Sequence, residues 1–238
     1  MQIDIITLFP GMFSGFLSES IIKRAQEKGI VHIRTVDLRD YTHDRHRTAD
    51  DRPYGGGAGM VLKVEPLFEA VEALRTPESS VILLSPRGKL FEQERAHSLS
   101  LRKHLILLCG HYEGVDERFS RELVDEEISV GDYILTGGEL PALVVVDSVV
   151  RLIPGVLGDS ESSVDESFAR GRLEYPQYTR PEKYRGLDVP KILLSGDHGK
   201  VARWREKESF LTTYHRRPDL LREFPPTEQE KKWLENNI

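Results

Sequence analysis

Two short, uninterrupted apolar runs, Val81–Leu84 and Leu105–Leu108, constrain the fold of this chain more than any other feature. A strand with one face in water alternates apolar and polar side chains, whereas one that is apolar at every position is buried on both faces. Each run stops at a turn-forming group, Ser85-Pro86 and Cys109-Gly110, and Glu92–Leu101 between them has helical spacing. Strand, helix and strand in that order predict an α/β fold with an open parallel sheet covered by helices. The preceding chain continues the pattern. Ile3–Phe9 is rich in β-branched residues and ends at Pro10, so it reads as a strand. Phe13–Glu27 reads as a helix stopped at Gly29, Val31–Leu38 as a half-buried strand, and Glu65–Leu74 as a helix with Pro66 in its first turn. Residues 39–59 are polar, then glycine-rich, and read as a long loop. Glu139–Leu152 admits either type; its length exceeds that of ordinary strands and favours a helix.

Residues 158–186 carry Gly, Pro and polar residues without a sustained period, and beyond them Lys200–Leu211 and Thr227–Asn236 read as helices. The expected division is an α/β domain over 1–158, a linker over 159–186 and a small helical domain over 187–238. With 39% apolar residues the chain can bury a core. Its net charge of −6 is not that of a uniformly basic nucleic-acid binder, but the charge is uneven. Residues 191–217 hold seven Lys/Arg against three Asp/Glu, while residues 113–132 hold eight acids against two Arg. An acidic middle can thus mask a basic end, although solvated faces alone also account for the bias. The single cysteine, Cys109, closes an apolar run and reads as a small core residue. One cysteine forms no intramolecular disulfide, which fits a reducing compartment. The N-terminus lacks the pattern of a signal peptide, and the apolar segment Leu140–Val150 is short and interrupted by Asp147, so a soluble cytoplasmic protein with no membrane partner is expected.

Several loops could carry chemistry. Arg52–Met60 (RPYGGGAGM) would allow close backbone approach to a ligand but matches neither a P-loop nor a dinucleotide fingerprint. Leu84–Gly88 and Cys109–Gly114 each follow a buried strand, where ligands bind on open α/β sheets. Val130–Pro141 (VGDYILTGGELP) interleaves glycines with apolar side chains, a composition suited to a tight turn around an adenine nucleoside. His43 and His46 are three apart but lack further clear metal ligands, so no metal site is assigned.

These segments, in order, resemble the bacterial tRNA (guanine-N1)-methyltransferases of the SPOUT superfamily. The likeness runs through Asp4–Pro10, Arg52–Met60, Leu84–Pro86, Cys109–Arg118, Val130–Pro141, Arg151–Gly158, Glu166–Phe168, Tyr175–Pro181 and Val189–Arg205. It implies a SPOUT-type parallel sheet with a deep trefoil knot, a C-terminal helical domain that grips tRNA, and a homodimer with active sites at the subunit interface. It also implies S-adenosylmethionine as methyl donor, help from Mg2+, and as target the guanosine immediately 3′ of the anticodon. General topology rules would not lead to a knot. The implied cofactor cradle comprises Gly110, Tyr112, Glu113, Gly114, Val130, Gly131, Asp132, Tyr133, Ile134, Leu135, Gly137, Gly138 and Pro141, bordered by Leu84, Ser85 and Pro86.

Methylation at guanine N1 needs a base for the N1 proton and a donor for charge growing on the carbonyl oxygen. The resemblance assigns the base to the residue before Ser167-Phe168. Members usually carry Asp there; this chain has Glu166, with Asp165 one residue earlier as the alternative. Arg151 matches the stabilising cation. Arg52, Lys200, Arg203, Arg205, Lys207, Arg216 and Arg217 are the candidates for tRNA phosphates, and Trp204 and Tyr214 either stack on bases or fill the helical domain's core. Two other readings remain: a catalytically silent RNA-binding relative, motivated by Glu166, and a related knotted methyltransferase acting on another RNA.

Overall fold

A computed structural model describes residues 1–157 and 166–235. The chain forms two compact units, 1–158 and 159–238.

The first unit is built on an all-parallel five-stranded sheet. Its strands are β1 (Gln2–Thr7), β2 (His32–Asp37), β5 (Ser79–Leu90), β6 (His104–Cys109) and β7 (Glu126–Ser129), in the order β2-β1-β6-β5-β7. A short antiparallel ribbon of β3 (Asp50–Asp51) and β4 (Val61–Leu62) lies outside it. The apolar runs have the predicted consequence, because their side chains alternate between two cores. Ile82, Leu84, Leu105 and Leu107 face α2 (Ser20–Glu27) and α6 (Glu139–Val150), whereas Val81, Leu83, Ile106 and Leu108 face α3 (Val64–Leu74) and α5 (Glu117–Leu123). Glu139–Leu152 is the helix its length favoured.

Three expectations need correction, and two elements went unread. The helix expected over Phe13–Glu27 is broken into a 3-10 turn (Pro10–Phe13), α1 (Ser14–Leu17) and α2, because Glu19 is extended and Ser20 takes a φ of 53°. The loop over 39–59 holds the ribbon strand β3 and follows a 3-10 turn, Leu38–Tyr41, which Asp37 caps by accepting from the Arg39 amide. The first apolar strand does not end at Ser85-Pro86. β5 resumes after a four-residue excursion, so that both Leu84 and Lys89 pair with Ile128 of β7. Gly88 permits this, since a Cβ there would strike the Ile128 backbone. Finally, α5 and β7 were hidden in the acidic stretch. The Asp116 carboxylate caps α5 from the Arg118 amide, and α5 buries only Phe119, too little for a visible period.

A polar network centred on buried Asp4 and His104 closes the far end of the sheet. Asp4 accepts hydrogen bonds at 2.8 Å from Arg34 Nε, Gln2 Nε2 and His104 Nε2, and the other nitrogen of His104 meets Ser79 Oγ at 2.7 Å.

Among the described residues the second unit contains the helices α7 (His198–Arg216), α8 (Leu220–Glu223) and α9 (Glu228–Glu235), with a small hairpin of β8 (Lys183–Tyr184) and β9 (Leu187–Asp188). In the first unit α4 (Gln93–Ser100) is the crossover between β5 and β6. Asp197 caps α7 by accepting from the Lys200 amide, and Thr227 with Glu230 forms a reciprocal cap on α9. Residues of the expected linker are wired into this unit. Leu173 N–H donates to Thr213 Oγ1, Ser209 Oγ–H donates to the Leu173 carbonyl, and Arg172 holds Glu230 through two hydrogen bonds.

Candidate functional site

A cleft of about 390 Å³ opens at the carboxyl ends of β5, β6 and β7 and at the start of α6. This is where the first peptide groups after parallel strands point their free N–H and C=O groups, and where α/β sheets take ligands. The excursion after Leu84 supplies one wall, the loop after Cys109 a second, and the run after Ser129 a third. Of the cradle residues expected from sequence, Leu84, Ser85, Pro86, Gly110, Tyr112, Glu113, Gly114, Val130, Gly131, Tyr133, Ile134, Leu135, Gly137, Gly138 and Pro141 line it.

Asp132 does not. The Tyr133 ring folds back over Gly131, with its hydroxyl donating to the Val130 carbonyl, and this turn leaves Asp132 exposed and off the lining. Leu83, Arg87, His111, Val115, Ile128, Ser129 and Thr136 line the cleft as well. Arg87, His111, Val115 and Thr136 lie inside the motifs read from sequence; Leu83, Ile128 and Ser129 are strand residues, which composition does not single out.

Close backbone approach makes the walls. Gly138 N–H donates to the Gly110 carbonyl at 2.7 Å, and His111 and Gly137 pair as an antiparallel bridge. A Cβ on Gly138 would lie 2.6 Å from the Cys109 Cα, so a larger residue would force the two segments apart. The glycine-rich ribbon turn closes one side. Met60 accepts from the Glu113 amide at 3.0 Å, and the Glu113 side chain covers Gly59. At the mouth, Tyr133, Ile134 and Leu135 are exposed, Ile134 to 81%. Exposed apolar groups beside glycine backbone suit a ligand with both a ring face and a polar edge.

Beneath the glycines, buried Glu139 accepts from Thr7 Oγ1 at 2.7 Å, and Thr7 accepts from the Phe9 amide. Cys109 lies in the same floor. Burial first, then the Glu139 carboxylate, pushes its thiol well above the ordinary range, so it is a packed core residue and not a nucleophile.

Arg151 caps the C-terminus of α6 in the first unit and is half-buried. Glu166 is a half-buried residue of the second unit, where its carbonyl accepts from the Ala169 amide. Asp165 lies outside the described residues. Among the basic candidates, Arg203 and Arg216 are exposed on α7, and Lys200 pairs with its helix cap Asp197 at 3.0 Å. Arg205 lies 4.8 Å over the Tyr175 ring, and Arg217 pairs with Asp219 and lies over Phe168. Lys200, Arg203 and half-buried Lys207 recur at i, i+3 and i+7, one face of the helix. Arg52 is exposed on the ribbon turn. Trp204 is half-buried near Tyr178, and Tyr214 packs near Phe210 while remaining partly exposed. His43 pairs with Glu69, and no group of three metal-ligating side chains occurs among the described residues. No described helix is long and apolar enough to cross a membrane.

The parallel sheet and glycine-walled cleft define an α/β protein with an open cleft at its strand ends, where such sheets take ligands. A family model described as tRNA (Guanine-1)-methyltransferase TrmD matches residues 1–223. The chain belongs to this family. It is similar to the tRNA (guanine-N(1)-)-methyltransferase of Geobacillus kaustophilus, with 61% identity over 98% of this chain and 97% of that protein. The proteins of the same name from Carboxydothermus hydrogenoformans and Bacillus subtilis are 58% and 54% identical, over 97% and 98% of this chain and 91% and 98% of their own lengths.

Proposed function

We propose that this protein is a tRNA (guanine-N1)-methyltransferase that uses S-adenosylmethionine and methylates the guanine immediately 3′ of the anticodon, position 37. The observation that carries the reading is the glycine-walled cleft, assembled from the family's own segments in a chain matched over nearly its whole length.

The residues present fit the cofactor. Gly137 and Gly138 leave no room for a Cβ, and one on Gly110 would press on the Leu84 carbonyl at 3.1 Å, so a ligand would meet backbone groups there. Ile134 and Leu135 would cover the adenine ring, and the Glu113 carboxylate at the cleft would face the cationic end. Bound there, the cofactor supplies an electrophilic methyl group on a sulfonium. Glu166 would accept the proton from guanine N1, and Arg151 would donate to the guanine carbonyl oxygen as negative charge grows on it. The glutamate does the work of the usual aspartate with one more methylene of reach.

The excursion between Leu84 and Lys89 and the tight contact of Gly138 with Cys109 bring separate chain segments together as a trefoil knot requires, and support that topology. The exposed side chains Leu140 and Val144, one turn apart on α6, adjoin the 3-10 turn that exposes Met12. Such an apolar face supports a homodimer, which would complete each active site at the interface. The basic face of α7 would hold tRNA phosphates, a cytoplasmic setting suits the substrate, and Mg2+ would act with the RNA in the absence of a three-ligand cluster among the described residues. Methyl transfer from labelled cofactor to an unmodified tRNA transcript tests the reading. N1-methylguanosine at position 37 is the expected product, and tight cofactor binding without transfer would favour a silent relative.

A further inference from the structure

His111 is a cleft residue that the proposed chemistry leaves without a task. Its ring is fixed by neighbours, 5.0 Å from the Phe9 ring and 4.5 Å, edge-on, from the Tyr112 ring. Its Nδ1 is buried and has no hydrogen-bond partner among the described residues. A Cβ on Gly137 would stand 2.6 Å from this Nδ1 and would also strike Glu139 Oε2, so the imidazole and the buried carboxylate face each other across the glycine. The carboxylate side favours the tautomer with the proton on Nδ1. That leaves a lone pair on Nε2, the ring nitrogen that is not buried, on a residue that lines the cleft.

We infer that His111 Nε2 is a hydrogen-bond acceptor that positions the cleft ligand by one of its N–H or O–H groups, with Glu139 fixing the tautomer across Gly137. The inference rests on the reading of the cleft as the S-adenosylmethionine site, whose amino and ribose hydroxyl groups are the donors available.

The test measures S-adenosylmethionine affinity by calorimetry, without turnover, for the full chain and two variants. His111→Phe keeps the ring packing and removes both nitrogens; His111→Gln keeps an acceptor within reach of the Nε2 position. The expected results are an affinity about tenfold lower for His111→Phe and within about threefold of the parent for His111→Gln. Thermal unfolding of each protein shows that the variants are folded. Parent-like affinity in His111→Phe, or the same loss of affinity in His111→Gln as in His111→Phe, overturns the inference. No binding by the parent protein overturns instead the reading of the cleft.

Discussion

Glu166 carries the proposal's heaviest demand, since guanine N1 cannot attack until its proton has gone. Glu166→Gln should lower single-turnover methylation by about two to four orders of magnitude while leaving cofactor affinity nearly intact. The assignment to Glu166 fails if Asp165→Asn has that effect and Glu166→Gln does not. A second residue-scale prediction concerns stability. Burial alone would raise the Asp4 carboxyl, but hydrogen bonds from Arg34, His104 and Gln2 outweigh it and hold the group below its ordinary value. A depressed folded pKa contributes stability that is present above the unfolded value and is lost as pH falls through the folded one. Denaturant unfolding should therefore show stability declining below about pH 4, and Asp4→Asn should reduce that acid dependence while lowering stability at neutral pH. Sequence could not reveal this group: Asp4 lies in a β-branched run, and its partners are 30 and 100 positions away.

At the scale of elements, the apolar runs identified β5 and β6 because burial on both faces removes all alternation. They did not show that β5 continues past Pro86, since Arg87–Lys89 have no apolar signature and the pairing depends on Gly88 meeting Ile128. The acidic segment concealed α5 and β7 for a related reason: both are short and lean on sheet neighbours. The lining segments of the cleft were legible because their glycines stand in ordered motifs, whereas the position of Asp132 off the lining was not, because the fold-back of Tyr133 is a tertiary contact. Gly138→Ala should test the cradle, with cofactor affinity falling at least about tenfold as the Cys109 and Gly138 segments separate; unchanged affinity would show that the walls can yield. For α7, Arg203→Ala should reduce the salt dependence of tRNA binding by about one phosphate contact and leave the melting temperature unchanged. Arg205→Ala should do the same but also lower the melting temperature, because Arg205 stacks on Tyr175. An unchanged salt slope in both would remove this helix from the tRNA interface.

For the whole molecule, the account requires a second copy, because each proposed active site is shared between subunits. Sedimentation should give a dimer, and Val144→Asp in the exposed face of α6 should yield folded monomers that have lost methyl transfer; fully active monomers would sever assembly from catalysis. The division into two units separates the duties expected of them, cofactor in the sheet and RNA on the helices. Their cooperation is what the central claim asserts, and single-turnover reaction of the full chain with labelled S-adenosylmethionine and an unmodified tRNA transcript, followed by nuclease mapping of the label, tests it most directly. The predicted result is stoichiometric N1-methylguanosine at the position 3′ of the anticodon; label at another nucleotide, or bound cofactor with no transfer, would contradict it.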